Sequence, residues 1–141
     1  MILDLSALKS AIAALDKSMG YLNSDLAKDP NLREQFRAAA IQAFEFTHEV
    51  AFKMLKRWLE SAVPDSSAID QMNYMEIIRA GAEAGFIMDI ARFRDYREKR
   101  NITSHTYNNE KAELIAASLG EFSEDISFLL EELERRNLGK D

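Results

Sequence analysis

The chain has 141 residues, of which 47% are hydrophobic and 30% charged, and it contains no cysteine. This balance is typical of a folded domain and excludes a disordered or fibrous chain. The missing cysteines exclude thiol nucleophiles, zinc knuckles, iron–sulfur clusters and disulfides, while the net charge of −6 argues against a surface built wholly for nucleic acid.

Residues 1–141 are expected to form one domain, because no linker or internal repeat divides them. No apolar run approaches the roughly 20 residues that cross a bilayer. The N-terminus lacks a basic region, and Asp4 interrupts its apolar residues at once, unlike a secretion signal. We therefore expect a cytoplasmic protein that does not enter a membrane.

The composition favours helices over strands nearly everywhere, because 19 alanines and 15 leucines far outnumber two valines and three threonines. The fold class is therefore predicted to be all-α. A first helix is indicated by apolar residues at alternating spacings of four and three. These residues are Leu8, Ile12, Leu15, Met19, Leu22 and Leu26. This helix should end near Asp29-Pro30, because proline disfavours helix in the residue before it.

A long second helix is predicted over about residues 32–62, started by a capping box of Asn31 and Glu34. His48 lies among apolar neighbours on it and is interpreted as a hydrogen-bonded core or interface residue. Glu45 and Glu49, one turn apart, could supply carboxylates to a site or form a solvated edge.

Residues 61–70 are predicted to be a mobile loop. Asn73 and Glu76 then form a capping box for a short third helix, and Gly85 is expected to end that helix in a left-handed conformation.

A fourth helix should run from near Asp89 to Arg100, with five basic and two acidic residues in 91–100. This basic run is either a solvated face or a track for RNA phosphates, and its position beside Arg100 favours the track. Residues 101–109, including Thr106, are poor helix formers and should be an irregular joint.

The last helix is predicted from after Asn109 to about Arg136, with an acidic outer face. Its expected apolar stripe consists of Leu114, Ala117, Phe122 (or Glu121 at the strict spacing), Ile126, Leu129 and Leu133.

The segment RNITSHTY at 100–107 brings Arg100, His105 and Tyr107 together where little core is expected. Polar groups concentrated in a joint suggest a site. Positions five apart lie about 140° apart around a regular helix, so Arg100 and His105 converge only in a distorted turn. His105 and Tyr107, two apart, share one side of an extended segment.

Arginine offers a fork of donors that fits phosphate oxygens, and histidine titrates near neutral pH, so the pair suits phosphate chemistry. Metal-free RNA cleavage needs a base, an acid and positive charge at the phosphate. Because one chain offers only one suitable histidine, this chemistry predicts a site shared across a homodimer. The alternative is that Arg100 and His105 only cap a helix end and that Tyr107 anchors the joint.

No glycine-rich phosphate loop, Asp-x-Asp pair or His-x-x-x-His motif occurs in the sequence, so we predict neither a metal nor a cofactor.

Arg100, His105 and Tyr107 match the Arg-x4-His-x-Tyr signature of HEPN-domain proteins. The chain resembles in particular the small HepT-like nucleotidyltransferase substrate-binding proteins, which pair with a minimal nucleotidyltransferase (MNT). Residues 41–60 resemble the family's Phe-Glu-Phe-Thr helix, and residues 76–87 resemble its segment Ile-Arg-x-Ala…Gly-x-Ile. Phe52 stands where many relatives carry tryptophan, a change that concerns packing.

The resemblance implies an up-and-down antiparallel bundle of four to five helices that forms a homodimer. It also implies a toxin–antitoxin pair in which this chain is a metal-independent endoribonuclease with Arg100 and His105 as catalytic residues. Asn101 and Ser104 would support them, and the partner nucleotidyltransferase would silence the toxin by AMPylation of Tyr107.

Two other functions stay open. The chain could be a non-catalytic substrate- or nucleotide-binding subunit of a two-component nucleotidyltransferase, or a helical adaptor with a purely structural role. The adaptor gains support if Arg100 and His105 are locked in ion pairs away from any cleft.

Overall fold

The computed structural model describes residues 2–105 and 107–138 of the chain. Thr106 of the predicted joint lies outside the described residues. Six α-helices are present in the described part: α1 (Ser6–Leu22), α2 (Pro30–Ser61), α3 (Ser67–Asp70), α4 (Tyr74–Glu83), α5 (Ile90–Asn101) and α6 (Asn109–Leu138). Two short 3₁₀ helices, Asp25–Lys28 and Thr103–His105, connect them. The prediction of an all-α fold is confirmed.

The longer helices run up and down the bundle. The ring of Tyr21, near the end of α1, stacks on Phe36 near the start of α2, with ring centroids 5.4 Å apart. The Leu3 amide just before α1 donates to the side chain of Asn137 at the end of α6 over 3.2 Å. α1 is thus antiparallel to both α2 and α6, as expected for an up-and-down bundle.

Aromatic side chains from three helices meet at the centre of the core. Phe122 of α6 packs edge-to-face on Phe44 of α2 at 4.6 Å and on Tyr96 of α5 at 5.0 Å. The fully buried Tyr96 donates its hydroxyl proton to Asp125 over 2.5 Å. Burial, with that hydrogen bond, raises the pKa of Tyr96. The phenol therefore stays protonated and ties α5 to α6.

The predicted start of α2 was wrong in detail. Asp29 is the N-cap, and its carboxylate accepts from the amides of Asn31 and Leu32 over 2.8 and 3.2 Å. Pro30 occupies the first helical turn, where its missing amide proton costs no hydrogen bond. The predicted Asn31–Glu34 capping box is therefore not the cap of this helix.

Two apolar assignments also change. The stripe of α1 ends at Leu22, and Leu26 is exposed. In α6 the predicted Leu114 and Ala117 are exposed, and the first turns of the helix instead bury Ala112, Ile115 and Leu119. From Phe122 onward the predicted stripe is correct.

The predicted loop at 61–70 contains α3, whose Ile69 is buried in the core. The next local predictions are confirmed. Asn73 and Glu76 form the reciprocal capping box of α4, and Gly85 follows that helix with φ +90°. Asp89 caps α5 by accepting from the Arg92 amide over 3.2 Å.

None of the helices in the described ranges is long and apolar enough to cross a membrane.

Candidate functional site

The joint between α5 and α6 is a hydrogen-bonded turn. The Thr103 hydroxyl donates to the Arg100 carbonyl oxygen over 2.9 Å, and the His105 amide donates to the Ile102 carbonyl oxygen over 2.9 Å. The Asn108 amide donates to the His105 carbonyl oxygen over 3.1 Å. The helix is thus interrupted between Arg100 and His105, as the short polar residues there predicted.

His105 and Tyr107 project from this turn into solvent. Their ring centroids are 6.2 Å apart and the ring planes are inclined by 68°, while Tyr107 is 84% exposed. Among the described residues, neither side chain forms a salt bridge or a hydrogen bond. The imidazole and the phenol are therefore both accessible to a ligand, and neighbouring Ser104 is exposed as well.

Arg100 points toward α2 rather than toward His105. Its Nη2 atom lies 3.6 Å from Oε1 of Glu45, and both side chains are partly exposed. Within the described ranges, Arg100 forms no ion pair, hydrogen bond or ring contact with His105. Of the two candidate carboxylates on α2, Glu45 thus reaches the predicted site directly.

An open groove of about 490 Å³ begins at Arg100 and Asn101 and follows α2 and α5. Its other lining residues are His48, Glu49, Phe52, Lys53, Lys56 and Arg97. Four of the lining side chains are cationic at neutral pH and one is a carboxylate. Arg100 is therefore open to a cleft rather than sequestered, which removes the condition that would favour a purely structural adaptor.

His48 lies at the base of this groove and is 6% exposed. The Tyr74 hydroxyl donates to the Phe93 carbonyl oxygen over 3.0 Å, so it accepts from Nε2–H of His48 over 2.9 Å. Burial, with smaller effects of the Arg97 and Arg100 charges, lowers the pKa of His48 to about 4. His48 is therefore neutral near pH 7 and adds no positive charge to the groove. Its interpretation as a hydrogen-bonded core residue is confirmed.

The ring of Tyr74 contacts one aromatic and one cationic side chain beside the groove. Phe52 stacks on its ring at 5.1 Å between centroids, and the Arg97 guanidinium carbon lies 4.7 Å above the ring. Burial raises the pKa of Tyr74. Phe52 thus serves packing, and Tyr74 holds the Arg97 head group in place beside the groove.

The basic run at 91–100 divides into two sets with different surroundings. Arg92 pairs with Asp125 at 3.2 Å and Lys99 pairs with Asp95, so the charges of Arg92 and Lys99 are neutralised, whereas Arg94 is exposed and forms no salt bridge in the described ranges. Arg97 and Arg100 line the groove. Only part of the run can therefore form a track for phosphates.

A cluster of charged groups that sequence reasoning missed anchors the far side of the joint. Arg37 is 9% exposed and donates to Asn109 over 2.9 Å and to Glu113 over 3.0 Å. Arg33 also donates to Glu113, over 2.9 Å. The hydrogen bond from Arg37 is the largest of the effects that lower the pKa of Glu113. This cluster fixes the first turn of α6, which begins two residues after Tyr107.

The described residues contain no group of three or more histidine, aspartate or glutamate side chains arranged to hold a metal ion.

Comparison with known proteins covers almost the whole chain. Residues 3–135 match the family model described as nucleotidyltransferase substrate binding protein like. The chain is 36% identical over 138 residues to the probable ribonuclease HepT of Haemophilus influenzae, covering 96% of this chain and 94% of that protein.

Two solved structures share the fold. HI0074 from Haemophilus influenzae, whose structure is described as the fold of a substrate binding domain of a nucleotidyltransferase, superposes with a TM-score of 0.83 at 33% identity. The alignment covers 93% of this chain and 99% of HI0074. A protein from Thermus thermophilus superposes with a TM-score of 0.70 at 25% identity, covering 89% of this chain and 98% of that one.

Proposed function

Because the chain belongs to the nucleotidyltransferase substrate-binding-protein-like family and is 36% identical to a protein named a probable ribonuclease, we propose that it is a metal-independent endoribonuclease. The observation that carries this proposal is the exposed His105–Tyr107 pair, one short turn beyond an Arg100 that opens onto a positively charged groove. Such an arrangement suits a phosphodiester better than a neutral ligand.

In the proposed reaction the ribose 2′-oxygen attacks the adjacent phosphorus, and the bond from phosphorus to the 5′-oxygen breaks. One His105 takes the proton of the 2′-hydroxyl, and a protonated His105 gives a proton to the leaving 5′-oxygen. The guanidinium of Arg100 stabilises the extra negative charge on the phosphorus oxygens. The products are a 2′,3′-cyclic phosphate and a 5′-hydroxyl.

The reaction needs a general base and a general acid, and each chain offers one histidine that is exposed at the joint. We therefore propose a homodimer in which two joints face a shared cleft, with Asn101 and Ser104 as supporting groups. In the described part of one chain Arg100 contacts Glu45 and not His105, which is compatible with the two groups meeting across a two-fold axis. A protein that sediments as a monomer under active conditions contradicts this arrangement.

We further propose a cytoplasmic toxin–antitoxin pair with a minimal nucleotidyltransferase as the partner. The Tyr107 oxygen would attack the α-phosphorus of ATP, its proton passing to a base of the partner, and pyrophosphate would leave. Because Tyr107 is 84% exposed beside His105, an attached AMP would place negative charge in the cleft that RNA must enter. This supports inhibition by repulsion and by obstruction.

The test uses purified protein and single-stranded RNA in excess chelator. We expect cleavage to cyclic phosphate ends, and a loss of at least about 100-fold in rate for His105→Ala and for Arg100→Ala. Lys17→Gln, an exposed change on α1, is the control and should retain full activity. Intact RNA with the wild-type protein, or undiminished cleavage by His105→Ala, contradicts the ribonuclease.

A second arm adds the partner nucleotidyltransferase and ATP. The peptide that contains Tyr107 should gain the mass of AMP, cleavage should stop, and Tyr107→Phe should prevent both effects. Tyr21→Phe, which removes another exposed phenol, should be modified normally. An unchanged mass of the Tyr107 peptide contradicts the modification.

The description of HI0074 as a substrate binding domain of a nucleotidyltransferase favours a second candidate function, a non-catalytic binding subunit. In that case the isolated protein binds nucleotides or small substrates while RNA remains intact. The cleavage assay separates the two functions directly.

A further inference from the structure

The groove between α2 and α5 is lined mainly by cations, although the chain as a whole has a negative net charge. The chain carries a net charge of −6, yet Lys53, Lys56, Arg97 and Arg100 line the groove against the single carboxylate of Glu49. His48 contributes no charge, because its pKa is lowered to about 4. A concave surface of this sign attracts an anionic ligand.

Three of these cations lack an acidic partner. Within the described part of the chain, Lys53, Lys56 and Arg97 form no salt bridge, while Arg100 has only a long contact of 3.6 Å with Glu45. On the same two helices Arg92 is paired with Asp125 and Lys99 with Asp95, whereas Arg57 and Arg94, outside the groove lining, also form no salt bridge in the described ranges. The groove thus concentrates positive charge that the protein itself leaves uncompensated.

The arrangement of the cations indicates an extended ligand. Lys53 and Lys56 are three residues apart on α2, and Arg97 and Arg100 are three apart on α5, so each pair lies on one helix face. Lys56 is eleven residues beyond Glu45, the partner of Arg100, which corresponds to about 16 Å along α2. The charges form a strip that leads away from Arg100.

We propose that this strip binds successive phosphates of single-stranded RNA on one side of the cleaved bond. The inference rests on the proposed ribonuclease and assigns Lys53, Lys56 and Arg97 as RNA-positioning residues, with Arg97 held by its contact with Tyr74. A groove of about 490 Å³ is in the size range of ligand pockets and is sufficient for a short stretch of one strand. Glu49 opposes binding through its negative charge.

The experiment measures RNA binding by the full-length protein carrying His105→Ala, so that the RNA stays intact. Fluorescence anisotropy with a labelled single-stranded oligonucleotide is recorded over a series of salt concentrations. In the Lys53→Gln/Lys56→Gln variant we expect weaker binding irrespective of RNA sequence. The slope of log affinity against log salt should become shallower by about 0.7 for each phosphate that the variant no longer neutralises.

Two further variants serve as controls. Lys17→Gln removes an exposed lysine of α1 that forms no salt bridge in the described ranges, and it should leave the slope unchanged. Glu49→Gln removes the carboxylate that lies among the described lining residues of the groove and should tighten RNA binding. Misfolding would weaken RNA binding, so tighter binding by this variant cannot result from a general loss of structure.

The outcomes separate this inference from the proposed activity. Suppose that the wild-type protein cleaves RNA, but that the lysine variant binds RNA with unchanged affinity and an unchanged salt slope. The proposed RNA-binding strip is then contradicted, and the proposed ribonuclease activity is supported. If RNA is never cleaved but the lysine variant loses affinity and slope, the strip is supported and the ribonuclease fails. Equal affinity for a mononucleotide and a longer oligonucleotide overturns the strip.

Discussion

His48 shows how a single buried side chain makes the stability of the protein depend on pH. Its pKa falls from 6.5 to about 4 on folding, chiefly because burial disfavours the charged imidazole. Between these two values the unfolded chain binds a proton that the folded chain excludes. The free energy of unfolding therefore decreases as the pH falls from 6.5 toward 4.

We predict that acidification from about pH 7 to about pH 5 lowers the free energy of unfolding by about 2 kcal/mol through His48 alone. Urea denaturation at the two pH values measures this loss. His48→Gln, which keeps a donor for Tyr74 but does not titrate, should lack that loss. His105→Ala deletes the other histidine and should show the same loss of unfolding free energy as the wild type. Equal losses in the wild type and in His48→Gln contradict the prediction.

At the scale of one element, the start of α2 shows how a correct helix can have a wrongly predicted cap. Asp29 and Asn31 are both good N-cap residues, and Glu34 completes the pattern of a capping box after Asn31. Pro30 decides between them, because proline is favoured at the first helical position and that places the cap on Asp29. The side chain of Asp29 accepts two amide hydrogen bonds.

We predict that Asp29→Ala lowers the free energy of unfolding by about 1 kcal/mol, because two amides at the start of α2 lose their acceptor. Glu34→Ala, at an exposed position five residues later, should change it by less than about 0.5 kcal/mol. Chemical denaturation of both variants measures the difference. A larger effect of Glu34→Ala would restore the capping box inferred from sequence.

At the scale of the whole molecule, Arg136 joins the last helix to the turn between α4 and α5. Its Nη2 atom donates to the Ala84 carbonyl oxygen over 2.5 Å, and its guanidinium carbon lies 4.0 Å from the Phe86 ring centroid. The Ala84 carbonyl follows the last turn of α4, where helix carbonyls lack partners within the helix. Arg136 thus connects the end of α6 to the residues that follow α4.

We predict that Arg136→Met lowers the free energy of unfolding by about 2 kcal/mol, because a partly buried carbonyl loses a charged donor. Arg135→Met is the matched control, since Arg135 bonds the same Glu132 but is 67% exposed, and it should cost less than about 0.5 kcal/mol. Thermal and urea denaturation test both. Equal effects of the two variants would show that Arg136 acts only through Glu132.

The exposure pattern of α6 shows that helical spacing must be kept strictly along the whole helix when a buried face is predicted. The predicted Ala117 lies five residues before Phe122, a spacing that leaves the helix face, and Leu114 and Ala117 are exposed. Counting back from Phe122 by four-three spacings gives Leu119, Ile115 and Ala112, which are buried. Periodicity taken from the correctly predicted later turns thus selects the buried set.

The amino-acid sequence alone determined the all-α class, the cap of α4, the left-handed Gly85 and the interruption of the helix after Arg100. These features depend on composition and on groups within a few residues of one another, so their causes are visible in a short stretch of chain. The tertiary structure alone decided the groove and its unpaired cations, the His48–Tyr74 hydrogen bond and the Arg37 cluster. His48 and Tyr74 are 26 residues apart in the sequence, and Arg37 and Glu113 are 76 residues apart. Only the packing of the helices brings such distant groups within hydrogen-bonding distance.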